Sequence, residues 1–412
     1  MRFHRAWFVL AITFLALLVS AGLRSAPSVM IRPLELSLGW DRATISLSVA
    51  IGILFYGLTG PFSGALTQRI GLRATVIGGL ALMSAATFAS RWMSEPWQFL
   101  LSWGIVAGVG SGAVAPVLAA NVVNRWFAVH RGLAMGILSA STATGALIFL
   151  PLFAWLAGDL HWQAVASAAS IATLCVIPLV WLLFPESPAS INLSRLGETD
   201  ATMPAPTNTR LGALAALKRA AGAPIFWLLA GTFFVCGLTT NGLIGTHFVA
   251  YCSDLGMASV TAAGMLSMMG MLDIVGTTAS GWLTDRYDPR KLLFVYYALR
   301  GLSLIALPFA GDDARSLTLF ALFYGLDWIA TVPPTLALAN RAFGERIAPI
   351  VFGWIMVSHQ LGAAIAAFGA GLIRSETGSY VYAFMLAGAF GVLAAFAIIM
   401  MARDRQPAEA IA

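Results

Sequence analysis

The sequence predicts an all-α membrane protein with twelve transmembrane helices in two six-helix bundles related as parallel repeats. Three observations predict it. Of 412 residues, 59% are hydrophobic and only 10% charged, whereas a soluble domain carries about 25% charged residues. Apolar runs of about 20 residues, the length that crosses a bilayer core, recur along the whole chain. Two charged stretches also echo each other: "GALTQRIGLR" from Gly64 to Arg73 and "GWLTDRYDPRK" from Gly281 to Lys291.

Taken in order, spans are expected at about 7–29, 45–66, 74–90, 97–123, 133–157 and 164–184, then at about 225–252, 260–283, 292–310, 317–339, 347–373 and 380–401. Most connections are short, so consecutive helices pack as antiparallel neighbours. The exception runs from Pro185 to about Gly222 and is rich in Pro, Ser, Thr and Asn. The division predicted is therefore 1–185 as one bundle, 186–222 as a cytoplasmic linker and 223–412 as the second bundle with a short tail. Within the linker, Leu211 to Ala221 has the pattern of a surface helix.

The two halves repeat. Gly64 matches Gly281 and Arg69 matches Arg286 at an offset of 217, and Asn124-Arg125-Trp126-Phe127 matches Asn340-Arg341-Ala342-Phe343 at 216. Six spans per half give both repeats the same orientation. Parallel six-span repeats characterise a transporter architecture whose substrate site lies between the halves near mid-membrane.

Basic residues set the orientation. With the N-terminus inside, 17 of the 24 Lys and Arg lie in cytoplasmic segments; Arg32, Arg42, Arg91, Arg315 and Arg374 lie outside, and Arg24 and Arg300 fall within spans. Both termini are expected in the cytoplasm and the chain in the cell's inner membrane. The net charge of +6 fits this bias and does not call for nucleic acid. The Arg2 and Arg5 start resembles a signal peptide, but the long apolar run that follows is expected to be retained. Cys175, Cys236 and Cys252 show no metal-ligand spacing and read as small core residues.

These stretches carry a resemblance to the major facilitator superfamily over essentially the full length. The family's loop between the second and third helices reads roughly G-x-x-x-D-R-x-G-x-R. Gly64, Arg69, Gly71 and Arg73 fit, with Gln68 in place of the acid; Gly281, Asp285 and Arg286 keep the acid and lose the later glycine. The resemblance implies a cytoplasmic gate in which Asp285 and Arg286 pair across neighbouring helix ends. Gly39-Trp40-Asp41-Arg42-Ala43-Thr44-Ile45-Ser46 and the run from Trp126 to Gly136 are similar to the monocarboxylate-transporter branch and its bacterial relatives. That branch implies small organic acids as substrates, carried by alternating access with protons.

Four charges fall within spans: Arg24, Asp273, Arg300 and Asp327. Each costs about 3 kcal/mol at mid-bilayer by insertion scales, so such residues face the bundle interior and mark function by default. In the branch resembled, the eighth helix carries D-x-x-x-R, linked to proton coupling and to the substrate carboxylate. Asp273 fits the acid, but Thr277 stands where the arginine would be. A substrate cation then comes from Arg24 or Arg300. Arg24 either grips a carboxylate with two parallel hydrogen bonds or snorkels to the interface. Arg300 either binds substrate or pairs with Asp327 or Asp273.

Asp327 is a second candidate for proton coupling, and Pro333 and Pro334 predict a bend that serves as a hinge. His247, His359, Asn241, Asn121 and Tyr56 are further candidates for the substrate site; each also suits plain helix packing or a helix-to-helix hydrogen bond. Gly104, Gly108 and Gly112, and Gly132 and Gly136, recur every four residues and predict close helix approach. No nucleophile elbow, metal-ligand cluster or G-x-x-x-x-G-K-[ST] is seen, so no enzyme activity, cofactor or metal is expected. The partners expected are an organic anion, protons and the lipid bilayer, with the chain monomeric. Two rivals remain: an exporter of lipophilic compounds, weakened because no acid lies in the first six expected spans, and a sensor built on a transporter fold.

Overall fold

The computed structural model describes residues 4–114, 116–158, 161–198, 213–310, 314–344 and 347–400; at 60, 61, 64, 65, 68, 116, 117, 120, 131, 132, 139 and 349 it describes the backbone alone. Among the described residues, eleven helical runs are long and apolar enough to cross a membrane. The first half has span 1 (Arg5–Leu38), span 2 (Arg42–Ile70), span 3 (Leu72–Ala89), span 5 (Arg131–Leu156) and span 6 (Trp162–Leu183). Span 4 is composite: Pro96–Phe99, a π-helical stretch Leu100–Val106, then Ala107–Ala113 and Pro116–Trp126. The second half has span 7 (Pro224–Asp254), span 8 (Ser259–Thr284), span 9 (Pro289–Ala306), span 10 (Ala314–Phe343), span 11 (Ala348–Thr377) and span 12 (Val381–Met400).

Within the first half, span 1 packs on spans 5 and 6, span 3 on 6, and span 4 on 2 and 3. In the second, span 7 packs on 11 and 12, span 9 on 12, and span 8 on 10. The halves meet where span 2 lies on 11 and span 5 on 8. The repeat maps span 2 onto 8 and span 5 onto 11, so these two seams are equivalent.

Span 1 exceeds its expected end at residue 29 and runs through Pro27 and Pro33 to Leu38. It stops at Gly39, whose left-handed φ of 69° suits glycine and whose N–H closes on Glu35 O at 3.1 Å. The longer helix places Glu35 within span 1, so the first half does contain an acid in a span. Asp41 then caps span 2, accepting from Thr44 N at 2.9 Å and Thr44 Oγ1 at 2.6 Å. Those bonds hold its carboxyl below the usual range. The first two spans are thus joined by a three-residue turn.

The glycines of span 4 behave as expected. A Cβ on Gly104, Gly108 or Gly112 would sit 2.9, 2.9 or 2.8 Å from Ser48 O, Gly52 O or Tyr56 O of span 2. Gly136 differs, having nothing within 4 Å, because its side of span 5 is open; Gly132 lies outside the residues whose side chains are described. Cys236 and Cys252 are buried, but Cys175 is exposed on span 6, so it is no core residue. In the linker, Ala213–Ala221 is helical. Its start docks on the turn after span 4, where Ala128 N donates to Leu196 O at 3.0 Å and Leu196 N to Trp126 O at 2.9 Å.

A very close approach in the second half joins spans 7 and 11. A Cβ on Gly237 would lie 1.8 Å from His359 O, and one on Gly362 2.0 Å from Phe234 O. Gly237→Ala is expected to destabilise by about 1–3 kcal/mol through overpacking. Gly231→Ala, with nothing within 4 Å, is expected not to. Thermal unfolding followed by tryptophan fluorescence in detergent distinguishes the two.

Candidate functional site

The site begins with a break. Span 10 is helical over Ala314–Asp327 and again over Val332–Phe343. The interruption at 328–331 lies upstream of Pro333 and Pro334, which occupy the first turn of the second half-helix. There a missing N–H costs no intrahelical bond. The prolines therefore start a helix after the break rather than bending one through themselves.

A break inside a membrane must have its backbone groups re-satisfied by neighbours. The carbonyls at 327–330 lose the donors four residues on, and each of these finds another. Arg300 Nη2 donates to Asp327 O, and to Trp328 O at 3.1 Å. Val332 N donates to Ile329 O at 2.9 Å. Ser280 Oγ donates to Ala330 O at 2.5 Å, the carbonyl that Pro334 cannot serve. The displaced N–H of Ile329 donates to Asp273 Oδ1 at 2.9 Å, and Thr277 Oγ1 donates to the same oxygen at 2.9 Å.

Arg300 is fully buried at 0% exposure and also pairs through Nε with Asp327 Oδ2 at 2.7 Å. Its Nη1 reaches Cys236 Sγ at 3.1 Å, and that sulfur lies 3.2 Å from Thr331 Oγ1. Asp327 Oδ1 has no hydrogen-bond partner among the described residues. Three of the four charges read from the sequence thus gather around one break. Arg300 as a substrate cation is corrected here: every face of its guanidinium is enclosed within the second half.

Arg24 is placed differently. It is partly exposed on span 1, and its guanidinium lies 4.4 Å from the centre of the Tyr56 ring on span 2. Among the described residues its guanidinium donates one hydrogen bond, to Ser20 Oγ at 3.2 Å. No acid pairs with it among the described residues. Next to Tyr56, a Cβ on Gly57 would meet Gln360 Cβ of span 11 at 2.6 Å, so this point lies at the seam between the halves. Under the offset of 217, Tyr56 corresponds to Asp273 and Arg24 to Asn241. That correspondence was available in the sequence as a pointer to paired positions.

Of the neutral candidates, Asn241 is half-buried in the π-helical stretch Leu238–Ile244 of span 7, and Asn121 is half-buried on span 4. His359 is buried against Phe233, ring centres 5.2 Å apart. His247 is completely buried, with Nε2 2.7 Å from Ala367 O and Nδ1 2.9 Å from Tyr380 OH. A carbonyl accepts only, so Nε2 donates and, in the neutral ring, Nδ1 accepts from Tyr380. His247 is a tie between spans 7, 11 and the start of 12, which corrects its reading as a substrate ligand.

That tie leads to a cluster the sequence reading missed. Arg42, only 5% exposed, bonds Glu35 Oε1 at 2.6 Å, Asp254 Oδ2 at 2.7 Å and Tyr380 OH at 3.1 Å. Asp254 also holds Arg374 at 2.9 Å and Arg32 at 3.7 Å. Glu35, Arg32 and Arg42 belong to the first half; Asp254, Arg374 and Tyr380 belong to the second. The cluster ties the halves at the membrane face that carries Gly39 and Gly378. Arg32 and Arg374 were read as orientation signals, and Arg42 as one and as part of the 39–46 stretch; at least Arg42 is a buried partner.

At the opposite face the repeated motif forms no such tie among the described residues. Gly71, at a φ of 93°, leads into span 3, where Leu72 N and Arg73 N donate to Glu186 at 2.7 and 2.9 Å. A Cβ on Gly71 would meet Glu186 Oε1 at 2.7 Å. The carboxylate at this loop comes from just past the end of span 6; at Gly64 and Gln68 only the backbone is described. Arg69 is exposed, and Arg73 donates to Trp181 O. In the second copy, Arg286 lies 4.0 Å over the Trp282 ring and donates to Trp282 O at 3.0 Å. Among the described residues Asp285 forms no salt bridge, which corrects the expected Asp285–Arg286 pair between helices for this conformation. Asp288 instead caps span 9 and holds Arg290 at 2.8 Å, which keeps its carboxyl low.

A twelve-span bundle pair with buried charges around a broken helix is the architecture of a membrane transporter. The family model for the Major Facilitator Superfamily matches residues 13–367, and the chain belongs to this family. It is 25% identical to the MFS-type transporter YcxA of Bacillus subtilis (strain 168), over 98% of this chain and 97% of that one. It is 28% identical to monocarboxylate transporter 13 of Rattus norvegicus, over 84% of this chain and 77% of that one. Among solved structures, an inward-facing bacterial homologue of the human lysosomal transporter Spinster superposes with a TM-score of 0.77 at 16% identity, covering 97% and 98% of the two chains.

Removing one partner of the buried Arg300–Asp327 pair is expected to cost about 3–5 kcal/mol. Arg300→Met and Asp327→Leu should each lower the unfolding temperature strongly, and the double variant by less than their sum. A thermal double-mutant cycle measures this coupling. Asp254→Asn should loosen the Gly39/Gly378 face, raising labelling of a cysteine placed at Gly39 by a membrane-impermeant reagent.

Proposed function

We propose that this chain is a secondary active transporter that moves a small organic acid, a monocarboxylate-like anion, by alternating access in symport with protons. The observation that carries the reading is Arg24: a guanidinium within a span, partly exposed at the seam, with one hydroxyl bond and no acid partner among the described residues. A planar guanidinium with free donors matches a carboxylate. The similarity to monocarboxylate transporter 13 supports the same substrate class. Tyr56, Asn241, Asn121 and His359 would complete the pocket, with Asp273 taking the proton.

In this reading the bundles are residues 1–185 and 223–412, joined by a cytoplasmic linker at 186–222. The chain sits as a monomer in the cytoplasmic membrane with both termini inside. The Gly39/Gly378 face is then external and held shut by the Arg42 cluster. Gly64, Gln68, Arg69, Gly71, Arg73, Gly281, Asp285 and Arg286 form the cytoplasmic gate, which re-forms when the outer cluster parts.

Uptake of radiolabelled monocarboxylates into proteoliposomes with an imposed pH gradient tests the reading. Uptake should follow the gradient, fall about tenfold or more in Arg24→Gln, as expected for losing a charged hydrogen bond, and survive in part in Arg24→Lys. Uptake indifferent to the gradient, or fully coupled in Asp273→Asn, would sink the proton step. Undiminished uptake in Arg24→Gln would remove the substrate site.

A further inference from the structure

Five groups hold the break in span 10: Arg300, Asp327, Ser280, Val332 N and Asp273. One of them can change its charge without stranding a partner. Arg300 is effectively always protonated. Asp327 is tied to the Nε of Arg300 at 2.7 Å. Ser280 and the backbone do not titrate. Asp273 stands apart because one of its oxygens, Oδ1, takes both bonds, from Ile329 N and Thr277 Oγ1. Its Oδ2 accepts no hydrogen bond among the described residues, and the side chain is only half-buried.

We propose that Asp273 is the latch of the break in span 10: when its Oδ2 takes a proton from water, its hold on the Ile329 N–H weakens and the two half-helices can move against each other. The inference rests on the proton-coupled reading above, but gives the proton a place to act apart from the substrate's own charge. A hydrogen bond to an ionised acceptor is about twice as strong as one to a neutral acceptor, so neutralisation loosens this clamp and leaves the others in place. The two acids and one guanidinium around the break carry one net negative charge, and a single proton neutralises the set.

Other titratable and charged groups surround Asp273: Arg300 on span 9, Cys236 on span 7 and Asp327 on span 10. His247 of span 7 is held by Tyr380 and Ala367 O. Span 5 packs on span 8 but carries one ionisable residue, Arg131 in its first turn, and span 8 carries no other. The movement also has a defined boundary. A Cβ on Gly276 of span 8 would meet Leu326 O at 1.8 Å, and one on Gly325 would meet Met269 Cα at 2.7 Å. The first half-helix of span 10 is therefore seated on span 8, while the second, Val332–Phe343, also packs on spans 9 and 11.

Hydrogen exchange of the peptide 325–332, in the full chain in lipid nanodiscs and corrected for intrinsic exchange, tests the latch. Between about pH 8 and pH 5, wild-type protection should fall about tenfold, the size of one lost charged hydrogen bond. Asp273→Asn should hold the low-pH value throughout, and Asp273→Glu should restore a dependence. The peptide 232–240 of span 7 serves as the unresponsive control. A pH-independent wild-type segment would overturn the latch even if uptake proves proton-driven, as would a dependence that persists in Asp273→Asn. A pH-dependent segment with gradient-independent uptake would keep the latch and remove the symport reading.

Discussion

Everything in the second half is arranged around one constraint: a helix broken inside a membrane must find partners for the backbone groups it frees. An unsatisfied group in hydrocarbon costs several kcal/mol. Around the break, spans 8 and 9 supply partners to the carbonyls of 327, 328 and 330 and to the Ile329 N–H, while Val332 N of span 10 itself serves Ile329 O. Arg300 is suited to this because a guanidinium carries five donors in a fixed fork. It serves a carboxylate, two carbonyls and a thiol at once. A lysine, with one compact head, could not span the same set.

The same reasoning separates the charges into two kinds. Asp273, Arg300 and Asp327 each bond to groups of the break or to one another. Arg24 is matched to a hydroxyl and a ring face. Such a guanidinium is what the proposed anion site calls for. The two membrane faces divide in a similar way. Five charged residues and Tyr380 join the halves at the Gly39/Gly378 face. At the other face, Arg286 rests on its own helix.

Much of this was legible in the chain. Span positions follow from apolar runs, and the offset of 217 exposes the repeat and, with it, the equivalence of Tyr56 with Asp273. The four intramembrane charges stand out against their surroundings by composition alone. The cluster at Arg42 was not legible. Its members come from the ends of spans 1, 2, 7 and 11 and the start of 12, where charged residues are ordinary and nothing local distinguishes a partner from an orientation signal. The role of Glu186 was hidden for the same reason, since it reaches the Gly71 turn across 113 residues of sequence.

Hydrophobic periodicity, basic-residue asymmetry and the repeated motif were enough to establish a twelve-helix transporter, because these are properties of single segments and of spacing along the chain. Which charges meet was a matter for the folded molecule. Arg24 and Arg300 look alike in sequence, each a lone arginine in an apolar run. Packing buries one beside Asp327 at the break and leaves the other over Tyr56 at the seam. The difference depends on which helices become neighbours and where one of them breaks, and side-chain pairing across tens or hundreds of residues leaves no local pattern to read.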